Sequence, residues 1–260
     1  AIQAAVTPRT KAIIPVEVFG NTAHFDEYER IARKHNLLFI EDSCEALGGS
    51  LNGKPAGSFG QCSVFGFYPN KQITTGEGGM IATDSEEIRD LCVSMRNQGR
   101  DGHVHTRLGY NYRMSELSAA LGHTQLMRID QFLASRHQVA EWYRQELCDV
   151  PDVQLPKFAS PDDASWFVFV VRLNDSYSEE DRDAIYYLLL ERSIGSARYF
   201  PAIHLQKYVR ELLGHKPGDF PKCEALCQRT IALPFHANLT RDQVRYSTDV
   251  LKSAIAAITH

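Results

Sequence analysis

The chain is short of almost everything that marks a specialised class. Charge of one sign is not in excess: 28 Lys and Arg face 32 Asp and Glu, a formal net charge of −4. With no basic tract either, there is no signal for nucleic acid or for an acidic membrane surface. No apolar run is long enough to span a bilayer, and no secretory signal pattern is present. Cysteine is sparse, six in 260 residues, which is no disulfide scaffold. Cys223 and Cys227 stand four apart on a helical pattern and face the same way. No His joins them at metal-ligand spacing, so core packing is the reading for them, and none of His103, His105 and His236 has such spacing. Internal repeats and low-complexity segments are lacking too. The balance reads as a reducing, cytoplasmic setting. What is present is ordinary: 43% hydrophobic and 23% charged residues, enough chain for one large or two modest domains with a substantial core.

One stretch stands apart. Ser63-Val64-Phe65-Gly66-Phe67-Tyr68 is a short apolar, aromatic run of strand type. Pro69 ends it, having no N–H to continue a ladder. Lys71 follows at once, then Gly76-Glu77-Gly78-Gly79, where glycine lets backbone approach a ligand closely. Burial disfavours an ammonium, and the same pressure makes a lysine a Schiff-base nucleophile. A lysine at a strand end is more often a solvated one. Upstream, Leu37-Leu38-Phe39-Ile40 reads as a strand covered on both faces. Asp42 sits just past it, where open α/β sheets bind ligands. Asp42 taken singly would read as a helix cap. Asp and Lys at neighbouring strand ends together suit pyridoxal phosphate (PLP): the lysine forms the imine and the carboxylate keeps the pyridine nitrogen protonated.

Periodicity places these strands in a larger frame. Phe25, Tyr28, Ile31 and Ala32 recur at helical spacing over 23–36. Strand 37–41 follows, and strand–helix–strand order argues for a parallel α/β sheet. Residues 48–60 read as loop or hairpin, 80–83 as a strand, and Ser85 as the cap of a helix over 86–95 with Glu86 and Glu87 at its positive end. Residues 97–112 read as a polar loop, and a long helical stretch runs from about 115 to 147 with a break. Beyond Pro151 a strand at 166–173, a helix near 179–192, a strand and turn at 195–201 and helices near 221–229 and 240–257 make a smaller α+β domain. The expected division is 1–127 for the larger domain and 128–260 for the connector helix and small domain.

Several motifs lie in register. Glu41-Asp42-Ser43-Cys44-Glu45-Ala46-Leu47-Gly48, Gly57-Ser58-Phe59-Gly60, Phe67-Tyr68-Pro69-Asn70-Lys71 and Leu108-Gly109-Tyr110-Asn111-Tyr112-Arg113-Met114 together resemble the DegT/StrS group of sugar aminotransferases, over nearly the whole chain. The resemblance implies a fold-type I PLP enzyme with a mostly parallel α/β large domain. It also implies that the start of this chain falls inside that domain, after a phosphate-gripping loop, a ring-stacking aromatic and several strands. Lys71 would carry the cofactor as a Schiff base and move the proton between substrate carbon and cofactor, and Asp42 would pair with the ring nitrogen. Glu45 departs from the family's glutamine; it would reach the ring's hydroxyl side, where a carboxylate repels a phenolate unless one is protonated, or simply face solvent. Gly66 stands where many members have a phosphate-binding Ser five residues before the lysine. That leaves backbone N–H groups, Ser63 or the preceding segment for the phosphate. Asn111 matches a residue that reaches the neighbouring subunit's cofactor phosphate. Arg113 would be an anion contact or a loop-ordering ion pair, and His204 a substrate contact or a structural histidine.

The function so implied is transfer of an amino group from glutamate or glutamine to a keto carbon of a nucleotide-linked sugar, in a homodimer with shared sites. Alternatives are a non-catalytic PLP-binding or sensing relative, a PLP-dependent sugar dehydratase and a cofactor-free imine aldolase. Dehydratase relatives carry His where Lys71 stands, and an aldolase leaves the glycine loop and Asp42 unexplained.

Overall fold

The computed structural model describes residues 1–158 and 164–258. They form two compact units: Ala1–Leu133 with the described part of Phe158–Phe167, and Ala134–Lys157 with the described part of Val168–His260. The division falls inside a helix, beyond the 127/128 boundary expected from the pattern. Leu133 stays with the first unit because its side chain lies over Gly48, where an added Cβ would come within 2.3 Å of Leu133 Cδ1.

In chain order the first unit carries α1 (Ile2–Ala5), β1 (Ala12–Ile13), α2 (Phe25–Lys34), β2 (Leu38–Asp42), β3 (Ser50–Leu51), β4 (Lys54–Pro55), β5 (Cys62–Gly66), β6 (Gly79–Ala82), α3 (Glu86–Arg96), β7 (Arg100–Asp101), β8 (Val104–His105) and α4 (Glu116–Leu126). The start of α5 (Ile129–Leu147) belongs to it as well. The main sheet has the order β1-β2-β5-β6. The first two pairings are parallel, Ala12 with Leu38 and Asp42 with Val64, as strand–helix–strand order requires. The third is antiparallel, Phe65 with Met80, because only a loop, not a crossover helix, joins β5 to β6.

Helix α2 has Asp26 and Glu27 in its first turn and Arg33 and Lys34 in its last, matching the macrodipole. Its inner face gives Phe25 and Ala32 to a cluster with Leu37, Phe39, Leu51 and Phe59. Leu38 on β2 is exposed, so this strand is not covered on both faces as its four apolar residues suggested. Helix α3 starts where expected, with Ser85 Oγ accepting from Ile88 N. The polar loop after it folds into the small β7–β8 hairpin.

The second unit holds the rest of α5, then β9 (Val153–Gln154), β10 (Phe169–Leu173), α6 (Glu179–Glu191), α7 (Lys207–Leu213), α8 (Pro221–Cys227), β11 (Thr230–Leu233) and α9 (Arg241–Ile258). Its sheet, β11-β10-β9, is antiparallel throughout. Tyr143 of α5 stacks on Phe169 and donates to Pro234 O at 2.7 Å. The run 166–173 is a strand only from Phe169, and 195–201 contributes one bridge, Ala197 with Ala232. Helix α7 and strand β11 were not legible. Thr230-Ile231-Ala232-Leu233 is four residues long and buried at every position, which periodicity does not distinguish from a buried turn of helix.

Candidate active site

Strands β2 and β5 run parallel, so their carboxyl ends open at the same edge. Period 2 sorts the side chains of β2: Phe39 and Glu41 are buried on one face, while Ile40 and Asp42 take the other. A turn after β5, closed by Lys71 N donating to Tyr68 O, brings Lys71 back over that edge. The loop beyond is pinned to one residue: Thr75 N and Thr74 Oγ1 both donate to Phe67 O, and Phe67 N donates to Gly78 O. Thr74 N in turn donates to Gln125 Oε1 of α4 at 3.0 Å.

Lys71 is mostly enclosed, its side chain 14% exposed, with Nζ 3.4 Å from Glu45 Oε1 and 4.2 Å from the centre of the Phe167 ring. Glu45 is not a solvent-facing residue. Its Oε2 accepts from Phe19 N at 2.7 Å, so the carboxylate bridges an ammonium and an amide. Asp42 Oδ1 accepts from Cys44 N at 3.2 Å. Cys44 links the two predicted partners: burial and then Asp42 push its thiol up to about 12, and Lys71 pulls the other way. A thiol so held is a wall and not a nucleophile. Gly66 faces the same space; an added Cβ would meet Cys44 Cβ and Sγ at 3.5 Å and Lys71 Cε at 3.8 Å.

Sequence reasoning missed three supports. Phe167 covers Lys71. Gln72 is buried and its Nε2 donates to Glu45 O and to Ser165 Oγ, both at 2.6 Å. Ser165 Oγ donates onward to Leu47 O. Gln72 was adjacent to the lysine and open to suspicion; Ser165 and Phe167 arrive from far along the chain and left no local signal.

The remaining expected site residues lie elsewhere. Ser63 points to the other face of β5, where its hydroxyl donates to Gly57 O at 2.8 Å. Asn111 pairs with Asn97 in a bridge, and Arg113 donates to Asn97 Oδ1 at 2.6 Å. A cleft of about 960 Å³ is lined by Arg113, Arg96, Ile81 and Gly79 but by none of Lys71, Asp42 and Glu45. His204 belongs to the second unit, buried, with Nε2 2.9 Å from Glu224 Oε1 and its ring against Phe220. The Gly218 amide and then His204 hold the Glu224 carboxyl below its ordinary range.

The family model for the DegT/DnrJ/EryC1/StrS aminotransferases matches residues 1–252. The chain belongs to this family. Among its relatives, GDP-perosamine synthase of Caulobacter vibrioides is 37% identical over 247 residues, 94% of this chain and 66% of the relative. GDP-perosamine synthase of Vibrio cholerae is 34% identical over 256 residues, 97% of this chain and 68% of the relative. Helicobacter pylori PseC, an aminotransferase of pseudoaminic acid biosynthesis, superposes with a TM-score of 0.93 at 25% identity, covering 98% of this chain and 70% of that one. S. venezuelae DesV gives 0.88 at 29% identity, 97% and 67%. The chain thus spans about two thirds of the length of these relatives. The fold is that of the PLP aminotransferases, α/β with a mixed, mostly parallel sheet in the first unit.

Proposed function

We propose that this family member uses pyridoxal phosphate to transfer an amino group to a keto carbon of a nucleotide-linked sugar, with glutamate or glutamine as donor. The observation that carries the reading is the juxtaposition of Lys71, Asp42 and Cys44 at one sheet edge. The residues present fit the cofactor. An enclosed amine stands near a carboxylate, and Gly66 leaves the space between Cys44 and Lys71 clear. When bound, the cofactor supplies an electron sink for the substrate carbon. Lys71 would be the attachment amine and would supply the base and acid that moves the proton. Asp42 would hold the ring nitrogen in its protonated form. Glu45 holds the Lys71 ammonium and anchors the Phe19 amide. Ser63 is left out of this assignment, since its hydroxyl serves Gly57 on the far face of β5.

A homodimer with shared sites completes the proposal. Asn111 pairs with Asn97, and Arg113 lines a cleft that Lys71 does not, which suits residues that serve a neighbouring subunit. Helix α4 has no buried residue, yet it carries Leu117, 87% exposed, with Leu121 and Leu126 also exposed. Bare leucines on a helix are an interface signature. We place the enzyme in the cytoplasm, a reading supported by six free thiols; no helix among the described residues is long and apolar enough to cross a membrane.

Borohydride reduction with pyridoxal phosphate, followed by peptide mass spectrometry, tests the assignment. The adduct is expected on Lys71 and absent from Lys71→Ala; an adduct on another lysine, or none, overturns it. A shift in cofactor absorbance on adding glutamate separates amino transfer from mere binding.

A further inference from the structure

Behind the Lys71 edge lies a second acidic cluster that the proposed chemistry does not use. Glu17, Glu41 and Ser43 are all completely buried. The donors available to the two carboxyls are unequally shared. Glu41 Oε1 accepts from Gly57 N at 2.5 Å and Oε2 from Phe59 N at 2.8 Å. Neither oxygen of Glu17 has a hydrogen bond of full geometry, and Ser43 Oγ is in the same position. Among the largest influences on Glu17 are Glu41 and Asp42, both acids, with the Ser43 hydroxyl as a polar neighbour. Two ionised carboxylates in so dry a place, one with only the Ser43 hydroxyl beside it, would repel each other and lack solvation. A proton on Glu17 removes both problems, because it turns the donor-poor carboxyl into a donor toward the donor-rich one.

We propose that Glu17 and Glu41 share one proton in the folded chain, and that this pair is a positioning device for the Lys71 edge. Three contacts carry the linkage. Glu17 N donates to Asp42 O, at the end of β2. Two residues on, Phe19 N donates to Glu45 Oε2, and Glu45 faces Lys71. Just past these contacts Gly20, at φ +83°, lies against Ser165 O, where a Cβ would fall 1.7 Å away. The segment from Glu17 to Gly20 is thereby seated at one end by the proton pair and presents its amide to Glu45 at the other. The link to Lys71 rests on the amino-transfer reading; the shared proton does not.

The sign of the pH dependence follows. Burial, then repulsion from Glu41, raises Glu17 from 4.5 to about 9. Its contribution to stability is therefore fully present below pH 4.5, where the unfolded chain is also protonated, and is lost as pH rises through about 9. Within that window the folding equilibrium of the wild type falls by up to about tenfold per pH unit relative to Glu17→Gln, which keeps a neutral donor at every pH. The experiment is isotope-edited infrared spectroscopy of the whole chain with carboxyl-labelled glutamate. A protonated-carboxyl stretch is expected at pH 7, lost above about pH 9 and missing from Glu17→Gln. Urea midpoints of both proteins across the window are expected to diverge as stated. Absence of the stretch in the wild type at pH 7, or its persistence in Glu17→Gln, overturns the proposal. Should Glu17→Gln fail to fold, the pH titration of the wild-type band decides alone. Borohydride trapping of pyridoxal phosphate on Lys71 at pH 7 to 10 reads the linkage: Glu17→Gln is expected to hold its yield where the wild type declines. Equal profiles overturn the positioning role, whereas no trapping at any pH, with the infrared band intact, overturns the amino-transfer reading instead.

Discussion

Glu45 shows how one residue's meaning depends on its contacts. Read as a departure from the family's glutamine, it posed a charge problem beside a phenolate. Folded, it is the counter-ion of Lys71 and the acceptor for the Phe19 amide. Removing it takes away the acceptor of the Phe19 amide and the carboxylate facing the mostly enclosed Lys71 ammonium. Glu45→Ala is expected to cost about 1–3 kcal/mol in urea unfolding, and Glu45→Gln less, since the amide keeps an acceptor. The other departure, Gly66, is a different case. An added Cβ there makes ordinary contacts at 3.5 and 3.8 Å, so nothing in the fold demands glycine. Gly66→Ser is expected to fold with a midpoint close to wild type. It is also expected to tighten cofactor binding, measured by fluorescence titration, by restoring the hydroxyl that many members carry. A loss of affinity would show that backbone amides already fill the phosphate's needs.

Elements here stand on local chemistry where caps and alternation are strong. Helix α3 begins at Ser85 because the side chain satisfies Ile88 N and two glutamates favour the positive end. Ser85→Ala is expected to lose about 1 kcal/mol, read from the chemical-denaturation midpoint, with little effect on Lys71 trapping. Strand β2 delivers the site through its alternation: Glu41 is turned to the buried face and Asp42 to the other, one residue apart. A single-residue slip would exchange them. Parallel pairing with β5 then puts Asp42 and the turn to Lys71 at one edge. Strand β6 reverses direction for want of a helix between it and β5, a connection that the glycine loop is too short to supply.

At the scale of the molecule, the two units are each built around their own sheet, and helix α5 runs through the division. The exposed leucines of α4 belong to neither core. If they meet a second copy, as proposed, Leu117→Glu should weaken self-association at least roughly tenfold in sedimentation equilibrium while sparing the unfolding midpoint. An unchanged association constant would move the interface elsewhere. The same experiment on Arg113→Ala, followed by cofactor trapping, asks whether that loop serves a neighbouring subunit: trapping should fall although Lys71 is untouched.

The residues to which the proposal assigns chemistry, and the cap of α3, could be singled out in the sequence because they obey local rules: a strand that ends at proline, a lysine two residues later, an acid at the end of a neighbouring strand, a serine before two glutamates. Such signals reside within a few positions and survive without the fold. Glu17, Phe167, Ser165 and the setting of Glu45 could not, since burial and long-range contact are properties of folded space. Glu17 in the sequence is an acid between two valines. Only the packing that turns it toward Glu41 and away from water decides that it holds its proton.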